Sequence, residues 1–218
     1  MYHFNRALLL LAAATCLLPT ISLAATTGSS ESTNTNDSSN PNRIVRRVIL
    51  EGSLTNAGYD GGQASRYSKA NGYAVGALFD LLGSGSLVLE MGVLYRQLGT
   101  TIDNGLGNND FTANYISVPA SLKYYLSGQE RTSLYLKAGV LGSTLISGNQ
   151  IYITPTTHVG ARSWETSFLA GVGLKVDLTQ KTGLIGEVDY NRATDSIFPG
   201  SDIYRSDITG TLGLALNL

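Results

Sequence analysis

From Ile44 to Leu218 apolar side chains recur at every second position, and this alternation arrives in eight successive stretches. A period of two is the signature of a strand with two unlike faces, and it excludes an amphipathic helical bundle. The stretch Ile116–Leu126 shows it most plainly. Ile116, Val118, Ala120, Leu122, Tyr124 and Leu126 share one face, while Ser117, Pro119, Ser121, Lys123 and Tyr125 share the other. The pattern places strands at Arg47–Thr55, Gly72–Leu82, Leu87–Arg96, Ile116–Leu126, Leu134–Leu141, Arg162–Leu178, Thr182–Arg192 and Asp207–Leu218. Each is near or above the 9–11 residues that cross a bilayer at a tilt.

The connections alternate in length. Gly83-Ser84-Gly85, Ser127-Gly128-Gln129-Glu130 and Thr179-Gln180-Lys181 are tight turns, whereas Asn56–Asn71, Gly99–Ala113, Ser147–Ala161 and Ala193–Tyr204 are long and polar. An up-and-down barrel with one trimmed rim and one elaborated rim requires this alternation. The expected fold is therefore all-β: an eight-stranded antiparallel transmembrane barrel over residues 44–218.

Two readings of such a barrel differ in which face is outside. A soluble ligand-binding barrel of the calycin type keeps its apolar face inward; a membrane barrel turns it toward lipid. Charged residues make up only 14 % of the chain, and the less apolar face is mostly Gly, Ser, Ala and Thr, as a narrow lumen needs. The charges on that face carry both signs. Arg47, Arg96, Lys123, Lys137 and Lys175 accompany Glu51, Asp80, Glu90, Glu165, Asp177, Glu187, Asp189 and Asp207. Enclosed together they can neutralise one another, so they are expected to form a structural luminal network. Large inward residues (Arg96, Lys123, Tyr125, Tyr135, Lys175) should plug the bore. On the apolar face, Tyr73, Tyr95, Trp164 and Tyr190 abut long connections while Phe79 and Tyr124 lie near short turns, an aromatic girdle at two membrane–water interfaces. Recovery in a soluble periplasmic fraction would select the calycin-like alternative instead.

The N-terminus reads as a targeting segment. Arg6 precedes the apolar run Ala7–Ala14, and Ser22-Leu23-Ala24 offers small residues for signal peptidase, so residues 1–24 are expected to be removed. The single cysteine, Cys16, falls in that run and would leave with it. Residues 25–43 are Ser-, Thr- and Asn-rich with no large apolar side chain until Ile44, the composition of a disordered tether. The C-terminal strand, ending Gly213-Leu214-Ala215-Leu216-Asn217-Leu218, carries candidate insertion-signal residues Gly213, Leu216 and Leu218 for the barrel-assembly machinery. An even strand count that finishes at Leu218 places both barrel ends on the short-turn side, expected to be periplasmic, with the long loops extracellular.

The segments Leu94-Tyr95-Arg96-Gln97-Leu98-Gly99, Asn114-Tyr115-Ile116-Ser117-Val118-Pro119 with Leu122-Lys123-Tyr124-Tyr125, and Ala138-Gly139-Val140 resemble the PorT-type outer membrane β-barrel domain family. That family usually closes on an aromatic residue, from which Leu218 departs. The leading functional reading is a small outer-membrane barrel with a structural or surface-interaction role carried by its long extracellular loops; the resemblance implies an eight-stranded outer-membrane barrel of Gram-negative bacteria and raises a second reading, an accessory to transport or protein secretion. Pro119 within a strand implies a local bulge, because proline supplies no ladder donor.

Chemistry is sparse. After residue 24 the chain has one histidine, His158, with neither a second His nor a Cys beside it, so no metal, cofactor or catalytic site is expected. Ser163 nearby does not complete a His-x-Ser arrangement. Glu187 and Asp189, two apart on one face, are read as partners of luminal cations rather than as an acid–base pair. Net charge is −1, which gives no reason to expect nucleic acid. The expected partners are outer-membrane lipid, the assembly machinery and an extracellular or secretion-system protein. Tyr59, Tyr67, Phe111, Tyr152 and Phe198 are the loop aromatics placed to contact such a protein.

Overall fold

In the computed structural model the described residues are 45–61, 70–84, 86–103, 108–126, 131–148, 151–154, 157–159, 163–196 and 202–218. The expected signal segment and tether (1–43), Tyr67 and Phe198 lie outside them. Among the described residues are ten strands: β1 Arg47–Gly61, β2 Ala70–Ser84, β3 Leu87–Asp103, β4 Asn108–Tyr125, β5 Thr132–Gly148, β6 Ile151–Thr154, β7 Thr157–Val159, β8 Trp164–Asp177, β9 Thr182–Ala193 and β10 Ile203–Asn217. Eight of them form one closed antiparallel barrel in the order β1-β10-β9-β8-β5-β4-β3-β2, and β6 pairs with β7 as a separate hairpin.

Closure is made by β1 against β10, in unbroken register from Arg47 opposite Asn217 to Gly61 opposite Ile203. A closed cylinder pairs backbone N–H and C=O groups without leaving a sheet edge, the condition for strands to cross hydrocarbon. Every barrel strand alternates as the sequence alternates. In β4, Ser117, Pro119, Ser121, Lys123 and Tyr125 are buried, while Leu122 and Tyr124 are about half exposed on the outer surface. Tight curvature is accommodated by small inward residues. A Cβ at Gly76 or Gly92 would strike the backbone oxygen of Val93 or Ala77, and the space over them is taken by the side chains of Leu94 and Leu78.

Three expectations about local structure are corrected. The strands run well past their expected ends, since β1 continues to Gly61, β3 to Asp103 and β5 to Gly148, while β4 begins at Asn108 and β10 at Ile203. Much of the supposed loop at Asn56–Asn71 and Gly99–Ala113 is therefore sheet, Ala193–Tyr204 is sheet only at its two ends, and the connection after Gly148 contains the β6–β7 hairpin. Pro119 introduces no bulge. The β3–β4 ladder is interrupted opposite Val118 and Pro119 but resumes in the same register, and Pro119 stays paired with Leu141 of β5. The irregularity in that wall lies higher, where Ile146 is the extra residue opposite Asn114 and Tyr115. Finally, two of the supposed loop aromatics are strand residues that face inward. Tyr59 is partly buried in β1, and Phe111 is only 5 % exposed in β4.

Candidate functional site: a packed polar lumen

Of the expected luminal charges, Arg47, Asp80, Glu90, Arg96, Lys123, Lys137, Lys175, Glu187, Asp189 and Asp207 are buried, with Glu51 and Asp177 partly buried. They fall into two groups. The lower one, toward the short turns, centres on Lys123, fully enclosed among Glu90, Glu187 (3.1 Å) and Asp80 (3.9 Å). Lys137 joins Glu90 (3.0 Å) to Glu187 (2.8 Å) and lies 3.8 Å from Asp189. Arg47 closes the bottom, donating to Asp80 (2.9 Å), to Asn217 (2.8 Å) and to the Tyr125 hydroxyl (3.3 Å). Lys175 pairs with Asp177 at 2.7 Å.

Two tyrosines complete this layer. The Tyr125 and Tyr135 rings are tilted against each other with centroids 5.1 Å apart, Lys123 lies over the Tyr135 face at 4.9 Å, and the Tyr135 hydroxyl donates to Glu187. The backbone opposite makes room for them: a side chain at Gly173 would overlap the Tyr135 ring, and one at Gly171 would overlap the Asp189 carboxylate. Ile49, Leu78, Val88, Leu94, Ile185 and Ala215 pack around the tyrosines, so the lower lumen is ionic at its centre and apolar at its wall. Burying a charge in such a place is tolerable only when it is paired, and removing one partner leaves the other stranded.

The upper group is only partly legible in sequence. It includes Arg205, two residues before Asp207 on the same face of β10, a position that the alternation pattern alone does not assign to the strand. Arg205 pairs with Glu165 at 2.6 Å and with Asp207 at 3.1 Å, and Arg96 approaches Asp207 at 3.5 Å. Asn191 donates to Asp207 (2.7 Å) and Ser167 to Glu165 (3.2 Å). Between the two groups is a cavity of about 30 Å³. Above the upper group the lumen turns apolar: Leu98, Phe111, Ala113, Tyr115 and Ile203 form a buried cluster with Tyr59 and Leu145 packed on it.

On the outer surface, Tyr73, Tyr124, Trp164 and Tyr190 are exposed and Phe79 and Tyr95 partly so. Tyr73 and Tyr95 touch at 6.4 Å between ring centroids. Tyr95 does not stand at a strand end, because β3 continues to Asp103. At its level the outer wall instead carries a hydrogen-bonded polar belt. Tyr95 and Gln97 both donate to Asn114 (3.0 Å each), Asn114 donates to Ser147 (2.9 Å), and Asn56 donates to Asn71 (3.1 Å). Below this belt the outer face is apolar, from Leu87 to Tyr95 in β3 and from Ile116 to Leu126 along β4 and just past its end, spans of about the 9–11 residues that cross a bilayer. Among the insertion-signal residues, Gly213 and Leu216 are partly buried and Leu218 is exposed, its N–H bonded to the Arg46 carbonyl (3.1 Å). His158 belongs to β7 and Tyr152 to β6. Among the described residues no three His, Cys, Asp or Glu side chains converge as metal ligands, and no helix is long and apolar enough to cross a membrane.

No curated protein sequence matches the chain. Solved structures of similar fold include the outer membrane protein OprG from Pseudomonas aeruginosa, 11 % identical over 81 % of this chain and 97 % of that one, with a TM-score of 0.56. Neisserial surface protein A is 13 % identical over 78 % and 97 %, with a TM-score of 0.48. At 11 % identity the likeness to OprG concerns the fold alone. The sequence profile of one family matches residues 28–198, most of the chain, and agrees with the closed eight-stranded barrel and its apolar outer band: the chain belongs to the outer membrane protein beta-barrel domain family, whose place is the cell outer membrane.

Proposed function

We propose that the protein is a plugged outer-membrane barrel with a structural or surface-interaction role, not an enzyme and not a solute channel. The observation that carries this reading is the filling of the bore at three heights: the Tyr125–Tyr135–Lys123 layer, the Arg96–Arg205 cluster and the apolar Phe111–Tyr115 cap. The interior space between the lower two is about 30 Å³, on the scale of one water molecule. Purified protein in planar bilayers should give no steady large-conductance openings, and sustained ones would refute the plug.

In this reading the short turns and both barrel ends are periplasmic, and the sheet above the polar belt stands outside the cell. A cysteine introduced at Asp60, exposed near the upper end of β1, should react with an impermeant maleimide on intact cells, and one at Gln180 should not. Residues 1–24 act as a cleaved signal, so the mature protein should begin at Ala25. Gly213, Leu216 and Leu218 serve the assembly machinery. Kinship with the PorT-type members rests on the central Tyr95-Arg96 and Tyr115–Pro119 segments. The surface that would meet a partner then includes the elevated wall of β1, β3, β4, β5 and β10 as well as the connections above it.

A further inference from the structure

Below the polar belt the outer wall is not filled equally all round. Across β5, β8, β9 and β10 it is indented by an open apolar groove of about 480 Å³. The lining lies together in register. Leu134, Leu174, Gly186 and Leu212 stand opposite one another on successive strands, and Val172, Val188 and Gly210 form the next row up. Gly186 and Gly210 are its low points, and Leu212 beside them stands proud at 77 % exposure. A Cβ at Gly210 would meet nothing within 4 Å, and one at Gly186 only a Leu212 methyl at 3.8 Å. Over Gly142, outward on β5, the space is instead taken by the Trp164 ring at 3.1 Å. The ladders through Gly186 and Gly210 carry no bulge, so neither glycine is explained by the strand or by a neighbour within the chain.

The groove opens above a rim of one sign. At the short-turn end every exposed charged side chain among the described residues is cationic: Arg46, Arg131 and Lys181. Backbone bonds place them under the strands that line the groove. The Arg131 carbonyl accepts from Asp177 at the foot of β8 (2.7 Å), that of Lys181 from Asn217 at the foot of β10 (2.8 Å), and that of Arg46 from Leu218 just beyond (3.1 Å). The Asp177 carboxylate is already held by Lys175 at 2.7 Å. Gly186 lies five residues above Lys181, about 12 Å in height along a tilted strand. Rim and groove therefore fall within one leaflet of a hydrocarbon core about 30 Å thick.

We propose that groove and rim together form a binding site for one anionic glycerophospholipid, an acyl chain lying over Gly186 and Gly210 and the headgroup phosphate held by Lys181 and Arg131, with Arg46 at the edge. Charge selects this occupant over a second copy of the chain. Two barrels standing the same way up in a membrane would bring their cationic rims together at one height, whereas a phosphate at that height is attracted by all three side chains. The site rests on the membrane placement proposed above, but not on which side the short turns face.

Native mass spectrometry of the purified full-length barrel, released from detergent micelles carrying phosphatidylglycerol or phosphatidylcholine of matched acyl chains, tests the site. One phosphatidylglycerol should be retained per barrel, with an affinity at least about tenfold above that of phosphatidylcholine. Lys181→Gln and Arg131→Gln should each lower the phosphatidylglycerol affinity about fivefold, the worth of one cation beside an anionic headgroup, and leave phosphatidylcholine unchanged. Gly210→Leu fills the groove without touching the rest of the chain and should weaken both lipids; Gly186→Val carries this arm if Gly210→Leu does not assemble. Ala77→Leu, outward on β2 across the barrel, should weaken neither. Equal retention of the two lipids, selectivity that survives both charge substitutions, or retention indifferent to filling the groove would overturn the proposal. So would a lipid-free dimer that Gly210→Leu splits into monomers, which would give the groove to a second copy. A micelle has no sides, so these outcomes are separate from the maleimide labelling and the conductance recordings that test orientation and plug.

Discussion

The barrel is two structures stacked on the same strands. Below the polar belt, the outer face is apolar and the inner face ionic; above it, the assignment is reversed. β4 shows the change within one strand. Its inward residues are Ser117, Ser121 and Lys123 below, but Phe111, Ala113 and Tyr115 above. Its outward residues are Ile116, Val118 and Leu122 below, but Asp110, Thr112 and Asn114 above. In β3 the outward series ends at Tyr95 and continues with Gln97, while the inward series passes from Glu90 and Arg96 to Leu98. The backbone alternation never breaks; only its hydrophobic phase does. The physical cause is the solvent outside. Hydrocarbon around the lower half leaves the interior as the place for polar groups, and water around the upper half restores the ordinary inward-facing core.

The ionic half offers the most severe test of this contrast. Lys123→Met leaves Glu90 and Glu187 short of a partner in a sealed space, and should cost about 3–5 kcal/mol of unfolding free energy in lipid vesicles. The double variant Lys123→Met with Glu90→Gln should recover part of that loss, since the stranded charge goes with it. If Lys123→Met were neutral, the lower lumen would be wet and the charges there solvated. Next in size is an outward pair on β4. Leu122→Arg should cost about 2–4 kcal/mol where the surrounding medium is hydrocarbon, whereas Thr112→Arg, also outward but above the belt, should fall within about 0.5 kcal/mol of wild type. Equal costs would erase the boundary that the belt marks.

The same phase change explains how much of the molecule is legible in its sequence. The number of barrel strands, their antiparallel order, the outward direction of the apolar face below the belt and the whole-barrel closure follow from alternation and connection length, both local and periodic; the β6–β7 hairpin does not. At Tyr115–Ile116 and Tyr95–Gln97 two patterns of opposite phase meet, and a window that spans the join sees no period at all. The strand therefore looks finished at the join, so Phe111 and Ile203 read as parts of loops and Arg205 falls just short of the expected strand. For Arg205 a signal is present: Ile203, Arg205 and Asp207 keep the parity of Thr209 and Thr211. Pairing within the lumen is not legible, because which lysine meets which acid depends on the register between strands far apart in sequence. Nor is the tolerance of Pro119, which rests on a gap in the ladder to β3 that no local rule announces.

The apolar cap yields a prediction of intermediate size. Leu98, 5 % exposed, packs with Phe111 and Tyr115 in a core shielded from water rather than from lipid. Leu98→Ala should cost about 2 kcal/mol, toward the lower end for a buried leucine because the cluster is small. Its distinguishing mark is indifference to the surroundings. The penalty should be the same in bilayers of different thickness and in detergent, while that of Leu122→Arg should depend on the hydrocarbon depth.

The smallest effect concerns the seam between the two halves. At Asn114 the donors from Tyr95 and Gln97 converge on one amide oxygen, and the amide nitrogen passes the chain on to Ser147. Tyr95→Phe deletes the hydroxyl and leaves the ring against Tyr73, so only the polar link is lost. Because Asn114 keeps Gln97, no acceptor is orphaned, and the expected cost is about 0.5–1 kcal/mol by equilibrium unfolding in vesicles. In the Gln97→Ala background the same change removes the last donor to that oxygen, and the two substitutions should then cost more than their sum if the belt is shielded from water. Strict additivity would place Asn114 in contact with bulk water, and the boundary between the halves would have to lie lower, at the tyrosine rings themselves.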